Sequence, residues 1–170
     1  RTLLDPVLLP IERLVLRVTG VNPDAQQTWQ RYSISLLLAN VVMWLVTFAI
    51  VSLQQWLPLN PDGIGNMEPT LSFNTISSFT TNTNLQHYSG ETGLSYLSQL
   101  LMVTFLQFVT AATGMAAAVA VVRGLARSRH TTIGHFCVDA TRAAVRVLLP
   151  LSLVVGVVLL SQGVPMTVEG

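Results

Sequence analysis

Residues 69–90 read PTLSFNTISSFTTNTNLQHYSG, a strongly polar stretch with no Asp, Glu, Lys or Arg between Glu68 and Glu91. On one side stands the apolar segment SISLLLANVVMWLVTFAIVSLQQW (33–56), on the other LSYLSQLLMVTFLQFVTAATGMAAAVAVV (94–122). This order brings backbone carbonyls into a bilayer, where irregular backbone is tolerated only if it is buried in protein or lines a cavity. The stretch is therefore either an extracytoplasmic loop or part of an ion pathway. Its detail favours the pathway.

Asn60-Pro61-Asp62-Gly63 signals a turn after the first apolar segment. Glu68-Pro69 reads as a helix start, with Pro at the first helical position and a carboxylate at the positive end of the dipole. The next ten residues place Leu71, Phe73, Ile76 and Phe79 where a short, half-buried helix uses them. About ten residues rise only some 15 Å, so this helix dips in without crossing. Its C-terminus, near Phe79 or Thr80, carries the negative end of the dipole and favours a cation just beyond it. There the chain reads Thr80-Thr81-Asn82-Thr83-Asn84-Leu85-Gln86, and all but Leu85 bring a side-chain oxygen besides the carbonyl. Uncharged oxygens replace the hydration shell of a monovalent cation without holding it too tightly to leave. A divalent ion would usually call for carboxylates. Asn also tolerates left-handed backbone, which helps turn successive carbonyls to one side. Taken alone, TTNTN also reads as a solvated, turn-rich outer loop; the flanking spans and short helix put the pore reading ahead.

Composition agrees with a membrane. Of 170 residues, 51% are hydrophobic and 10% charged, far from a soluble domain. The net charge of +1, carried without a single Lys, offers no field for nucleic acid, which we exclude as a partner. One cysteine, Cys137, rules out an internal disulfide framework. A third apolar segment, VRVLLPLSLVVGVVLLSQGV (145–164), joins the other two, and each has the roughly 20 residues that cross a hydrocarbon core of about 30 Å. The second exceeds that length and should tilt. Pro150 is tolerable near the start of the third and able to kink it.

Arg123, Arg127 and Arg129 follow the second span, Arg142 and Arg146 accompany the start of the third, and Arg13, Arg17 and Arg31 precede the first. The positive-inside rule then predicts a cytoplasmic linker or interfacial segment at 1–32, spans at 33–57, 94–122 and 145–164, and a cytoplasmic Arg-rich loop at 123–144. Residues 58–93 form the extracytoplasmic pore helix and filter loop, and 165–170 an extracytoplasmic end. The opening PVLLPIERLVLRV is amphipathic enough to lie on the inner membrane surface, or to serve as a linker from a preceding helix. With no initiator Met and no signal-peptide pattern, the chain is expected to begin partway into a longer protein.

FNTISSFTTNTNLQHYSGETGLSYLSQ resembles the first pore loop of the potassium-binding, channel-like subunit of the bacterial Kdp potassium-transporting P-type ATPase. The likeness continues through FVTAATGMAAAVAVVRGLAR to TVEG and includes IERLVLRVTGVNP and LPLNP upstream, so it covers nearly the whole chain. It implies an all-α membrane protein of the potassium-transporter superfamily, built from four pseudo-equivalent helix–pore loop–helix units around one pore. This chain would hold one such unit plus the first helix of the next, and the remaining pore repeats would lie elsewhere in the subunit. The resemblance further implies that Asn82, Thr83 and Asn84 lie in the first filter segment for K+, with Thr81 beside them and Gln86 supporting from behind. Implied partners are a P-type ATPase catalytic subunit, small accessory membrane subunits and the lipid bilayer, in a bacterial cell membrane.

Other residues carry weaker signals. Ser95, Ser98 and Gln99 either line the pathway or hydrogen-bond to neighbouring helices, the commoner use. His87 reads as a polar residue at the outer mouth, and His130, His135 and Cys137 form no complete zinc-ligand spacing. Arg127, Arg129 and Arg142 read as topological anchors. No phosphate-binding or phosphorylation motif occurs, so ATP chemistry would belong to a partner and this chain is no enzyme by itself. Two rivals remain: a passive or gradient-coupled K+ channel subunit, and a membrane assembly segment whose outer loop binds no ion.

Overall fold

The chain is described as a computed structural model over residues 5–126 and 131–164. Among these residues it is all helical, with a single isolated β-bridge between Gln27 and Gly134. The elements are α1 (Asp5–Val18), α2 (Trp29–Ser52), α3 (Pro69–Thr80), a single turn α4 (Gly90–Gly93), α5 (Tyr96–Ala126) and α6 (Phe136–Ser161). Three of them, α2, α5 and α6, are long and apolar enough to cross a membrane, at 24, 31 and 26 residues. Apolar side chains cover most of α2 and the part of α6 from Leu149 to Ser161 on nearly every side, as expected of helices that contact lipid or other membrane helices.

Helix boundaries differ from the sequence reading, most of all at the third apolar helix. The third apolar helix starts at Phe136 instead of Val145, so residues 136–144 of the anticipated loop are helical. Their charges find partners on other helices, Asp139 with Arg123 and Arg142 with Glu12, which removes the need to leave the helix. Pro150 follows a π-helical segment, Ala144–Leu148. Its ring lacks an N–H and would crowd the carbonyl four residues back, and the wider turn accommodates both. A second π segment, Gln99–Thr104, lies near the start of α5. Arg127, Arg129 and His130, together with residues 165–170, lie outside the described residues.

The structure divides into two units. The first comprises 5–38 and the described part of 111–164. Its α1 buries Leu8, Glu12 and Leu16, four residues apart and so on one face. Glu12 sits in that face because Arg142 Nε (2.8 Å) and Arg146 Nη2 (2.7 Å) meet its two oxygens, and Arg146 also reaches Asp5 at 3.2 Å. Burial pushes the Glu12 carboxyl up, but the two guanidinium groups outweigh it and hold it below the usual carboxylate range. Arg142 is therefore paired, beyond the anchoring role read from the sequence. Nearby, Arg123 grips Asp139 with both nitrogens, at 2.5 and 2.9 Å. Tyr32 Oη donates to Ala116 O (2.8 Å) and lies 3.2 Å from Asp139 Oδ2.

The second unit, residues 39–110, carries the polar stretch. Its core is Val51, Met67, Ile76, Phe79, Leu94, Met102 and Leu106, with Trp44 and Phe48 packed against it.

Candidate ion-binding site

Why α3 forms where it does is visible at its start. Glu68 is the N-cap, its Oε2 accepting from Leu71 N at 2.9 Å and from the Thr70 hydroxyl, and Pro69 fills the first turn where no N–H is needed. These hydrogen bonds, the Thr70 hydroxyl first, hold the exposed Glu68 carboxyl below its usual range. The buried face is Ser72, Thr75, Ile76 and Phe79, spaced i, i+3, i+4, i+7. Phe73, expected among the buried positions, falls off that stripe and is exposed, edge-on to Trp44 at 5.5 Å. Trp44 also donates from Nε1 to Ser77 Oγ at 3.1 Å, tying α3 to α2 within this unit.

At its C-terminus the helix does not unravel into solvent. Asn82 N donates to Phe79 O (3.1 Å), Thr83 N and Asn84 N both donate to Ser78 O (2.9 and 3.3 Å), and Leu85 N donates to Ser78 Oγ (2.7 Å). Four consecutive amides thus turn back onto the last turn of α3. Asn82 and Asn84 each hold φ +57°, the left-handed conformation that Asn tolerates better than other side-chain-bearing residues. With the amides committed inward, no hydrogen bond among the described residues ends on the carbonyls of Thr81, Thr83 or Asn84. Side chains brace the loop locally: the Thr81 and Thr83 hydroxyls are 3.0 Å apart, and Asn84 Nδ2 donates to Asn82 Oδ1 at 3.1 Å. Thr80 Oγ1 and Asn84 Oδ1 are buried without a hydrogen-bond partner, two further oxygens with free lone pairs. The stretch offers uncharged acceptors beside a helix C-terminus and brings no carboxylate to them, an arrangement suited to a weakly held cation.

The structure brings Thr81, Asn82, Thr83 and Asn84 together in this one turn, with Thr81, Asn82 and Thr83 exposed and Asn84 half-buried. Gln86 lies just beyond, exposed, its amide 3.4 Å from Tyr88 Oη. Burial raises the pKa of Tyr88, partly offset by that contact. His87 is exposed. Ser95 and Ser98 are buried and bond to each other (3.1 Å), and Gln99 donates to the carbonyls of Gly90 (3.1 Å) and Leu94 (3.3 Å). The hydrogen bonds of these side chains run to residues close by in the chain.

Two residues escaped the sequence reading. Ser78 gathers three of the four amides, and nothing in the composition of TISSFT marks it out from Ser77. Gln54 is wholly buried and hydrogen-bonds on both sides of the polar stretch, to Gly65, Gly93 and Ser95. A glutamine within an apolar run was the available signal.

Known proteins place this geometry in context. The family model described as "Potassium-transporting ATPase A subunit" (KdpA) matches residues 1–170. A protein of Pseudomonas fluorescens (strain Pf0-1) named "Potassium-transporting ATPase potassium-binding subunit" is 51% identical over 98% of this chain and 29% of its own length. Proteins of the same name from Ralstonia pickettii (strain 12J) and Caldanaerobacter subterraneus subsp. tengcongensis are 50% and 46% identical, over 95% and 98% of this chain and 27% and 29% of theirs. The chain thus spans less than a third of the length of these curated relatives. With the match running from the first residue to the last, the chain belongs to the potassium-transporting ATPase A subunit family.

Proposed function

We propose that residues 58–93 form one re-entrant limb of a K+ filter in a potassium-binding subunit, and that Thr81, Asn82, Thr83 and Asn84 present uncharged oxygens to the ion. The observation that carries this reading is the fold-back of the four amides of residues 82–85 onto Phe79 and Ser78, which leaves carbonyl oxygens free beside the negative end of α3. Gln86, just behind these residues, supports the filter. The names of the relatives support K+ as the transported ion and an ATPase complex as the setting. Selectivity arises from the field and spacing of neutral oxygens, and one limb supplies a quarter of such a filter, so further limbs complete the ring.

In this reading ATP is hydrolysed on a partner P-type ATPase subunit, with small accessory membrane subunits alongside, and this subunit captures K+ from outside a bacterial cell membrane. Residues 58–93 then face outward and 123–144 inward, in keeping with the arginines in the sequence of the one segment and the acidic residues Asp62, Glu68 and Glu91 in that of the other. The test is thermal stabilisation of the full-length subunit in detergent by K+ against Na+, with and without Asn82→Asp and Gln86→Arg. Selective stabilisation that both substitutions weaken is expected. Unchanged K+ stabilisation in both variants sinks the site assignment.

A further inference from the structure

We propose that Gln54 is a positioning residue for the filter, fastening together the limb that descends to α3 and the limb that returns from the filter. It stands in a one-turn 3-10 helix, Gln54–Trp56, directly after α2, and is wholly buried. Its Nε2 donates to Gly65 O (2.8 Å) and to Gly93 O (3.0 Å), while its Oε1 accepts from Ser95 N (3.2 Å). Both donors and the acceptor of the side-chain amide are engaged, and these partners leave only one orientation of the amide. Gly65 lies ahead of α3 and Gly93 beyond the filter turn, so one side chain pins both ends of the segment between them. Neighbouring ties are narrower or more remote: Asn60 holds only the descending limb, through Ile64, Gln99 only the returning limb, through Gly90 and Leu94, and the backbone bond of Tyr96 N to Leu59 O (3.1 Å) joins the limbs farther in sequence from α3 than Gly65.

Gln54 makes no hydrogen bond to residues 81–86. It acts on the filter through the limbs, fixing where the C-terminus of α3 stands relative to the ends of α2 and α5 within this unit. Loosening either limb moves the oxygens of residues 81–84, and a shift well below 1 Å alters the discrimination of a neutral-oxygen site. This inference rests on the reading of 81–84 as filter.

The experiment is K+-stimulated ATP hydrolysis by the full-length subunit in its assembled ATPase complex, titrated with K+, Rb+ and Na+, for Gln54→Leu and Gln54→Glu. In Q54L the half-saturating K+ should rise about tenfold or more and discrimination against Rb+ and Na+ should fall, with the maximal rate within about twofold of wild type. Q54E keeps the acceptor for Ser95 N but turns a carboxylate on two carbonyls. Protonation restores one donor, so its half-saturating K+ should drop on acidification across a range where the wild type is flat. That pH profile is not expected of a residue needed only for folding, and it decides the matter alone should Q54L not assemble. Assembled variants with wild-type half-saturation and discrimination would overturn the proposal, as would failure of both to assemble. Asn82→Asp run alongside separates the two readings. If it shifts K+ affinity and the Gln54 variants do not, only the clasp falls; if none shifts it, the filter reading falls too.

Discussion

Asn82 offers a way to separate backbone geometry from side-chain chemistry at the proposed filter. It holds φ +57°, and its Oδ1 accepts from Asn84 Nδ2 at 3.1 Å. Replacing it with Ala or with Gly deletes that hydrogen bond equally, at a cost of about 0.5–1 kcal/mol for an exposed pair. Only Ala adds the steric cost of left-handed backbone, about 1–2 kcal/mol, which Gly escapes. If K+ binds to carbonyls that the left-handed turn presents, Ala should weaken binding beyond Gly by that difference, about five- to thirtyfold. The assay is the half-saturating K+ of ATP hydrolysis by the full-length subunit in its complex. The expected order of affinity is wild type, then Asn82→Gly, then Asn82→Ala. A glycine variant as impaired as the alanine variant would refute the reasoning, because the side-chain amide itself would then be what the ion requires.

Two further predictions concern the other unit. The Glu12 carboxyl is held below its usual value of 4.5 by Arg142 and Arg146, so the unfolded chain binds its proton more tightly than the folded one. Its contribution to stability is therefore complete above about pH 4.5 and is lost as pH falls through the lower folded value. Glu12→Gln should cost roughly 1–3 kcal/mol near pH 7, less than a fully buried pair because the Arg142 side chain is 48% exposed, and should flatten the acid limb of a melting-temperature profile; an unchanged acid limb would mean that other groups set it. Gly134 has φ +111°, and a Cβ there collides with Arg123 Nη1 and stands 3.2 Å from Asp139 Oδ2. Gly134→Ala should destabilise by about 3 kcal/mol through strain and loss of the half-buried pair, and by only about 1–2 kcal/mol in an Arg123→Ala background; equal costs in the two backgrounds would dissociate the glycine from the ion pair.

What could be read in the chain and what could not follows the range of the forces involved. Apolar length is a local sum, so the three long helices were legible from residues 33–56, 94–122 and 145–164. The start of α3 was legible too, since Glu68 and Pro69 act within one turn. The left-handed turn was expected from Asn82 and Asn84 because the preference belongs to the residue type. Pairings between distant residues were not legible. Glu12 and Arg146 are 134 positions apart, and Tyr32 and Asp139 107, and nothing in either neighbourhood names the other. The early start of α6 went unread for the same reason, as charged residues counted against a helix until their partners were known. One clue was present: Arg142 and Arg146 are four apart and share a helical face, the spacing that lets both reach one carboxylate.

The π segment at Gln99–Thr104 has a consequence for how α5 may be altered. Along it the buried residues Ser98, Met102, Leu106 and Thr110 recur every fourth position. In a uniform α-helix such a row drifts by about 40° at each step. The wide turn rotates less per residue and takes back part of that drift, so the row stays closer to straight. It acts as a phase corrector, equivalent to one residue inserted into an ordinary helix. Removing one residue between 99 and 104 would therefore restore a uniform helix with its two halves close to their present phase, whereas removing one between 105 and 110 would turn the parts on either side of the cut by roughly 100°. Residues 99–104 are thus the place where α5 can lose a residue without changing which faces it presents.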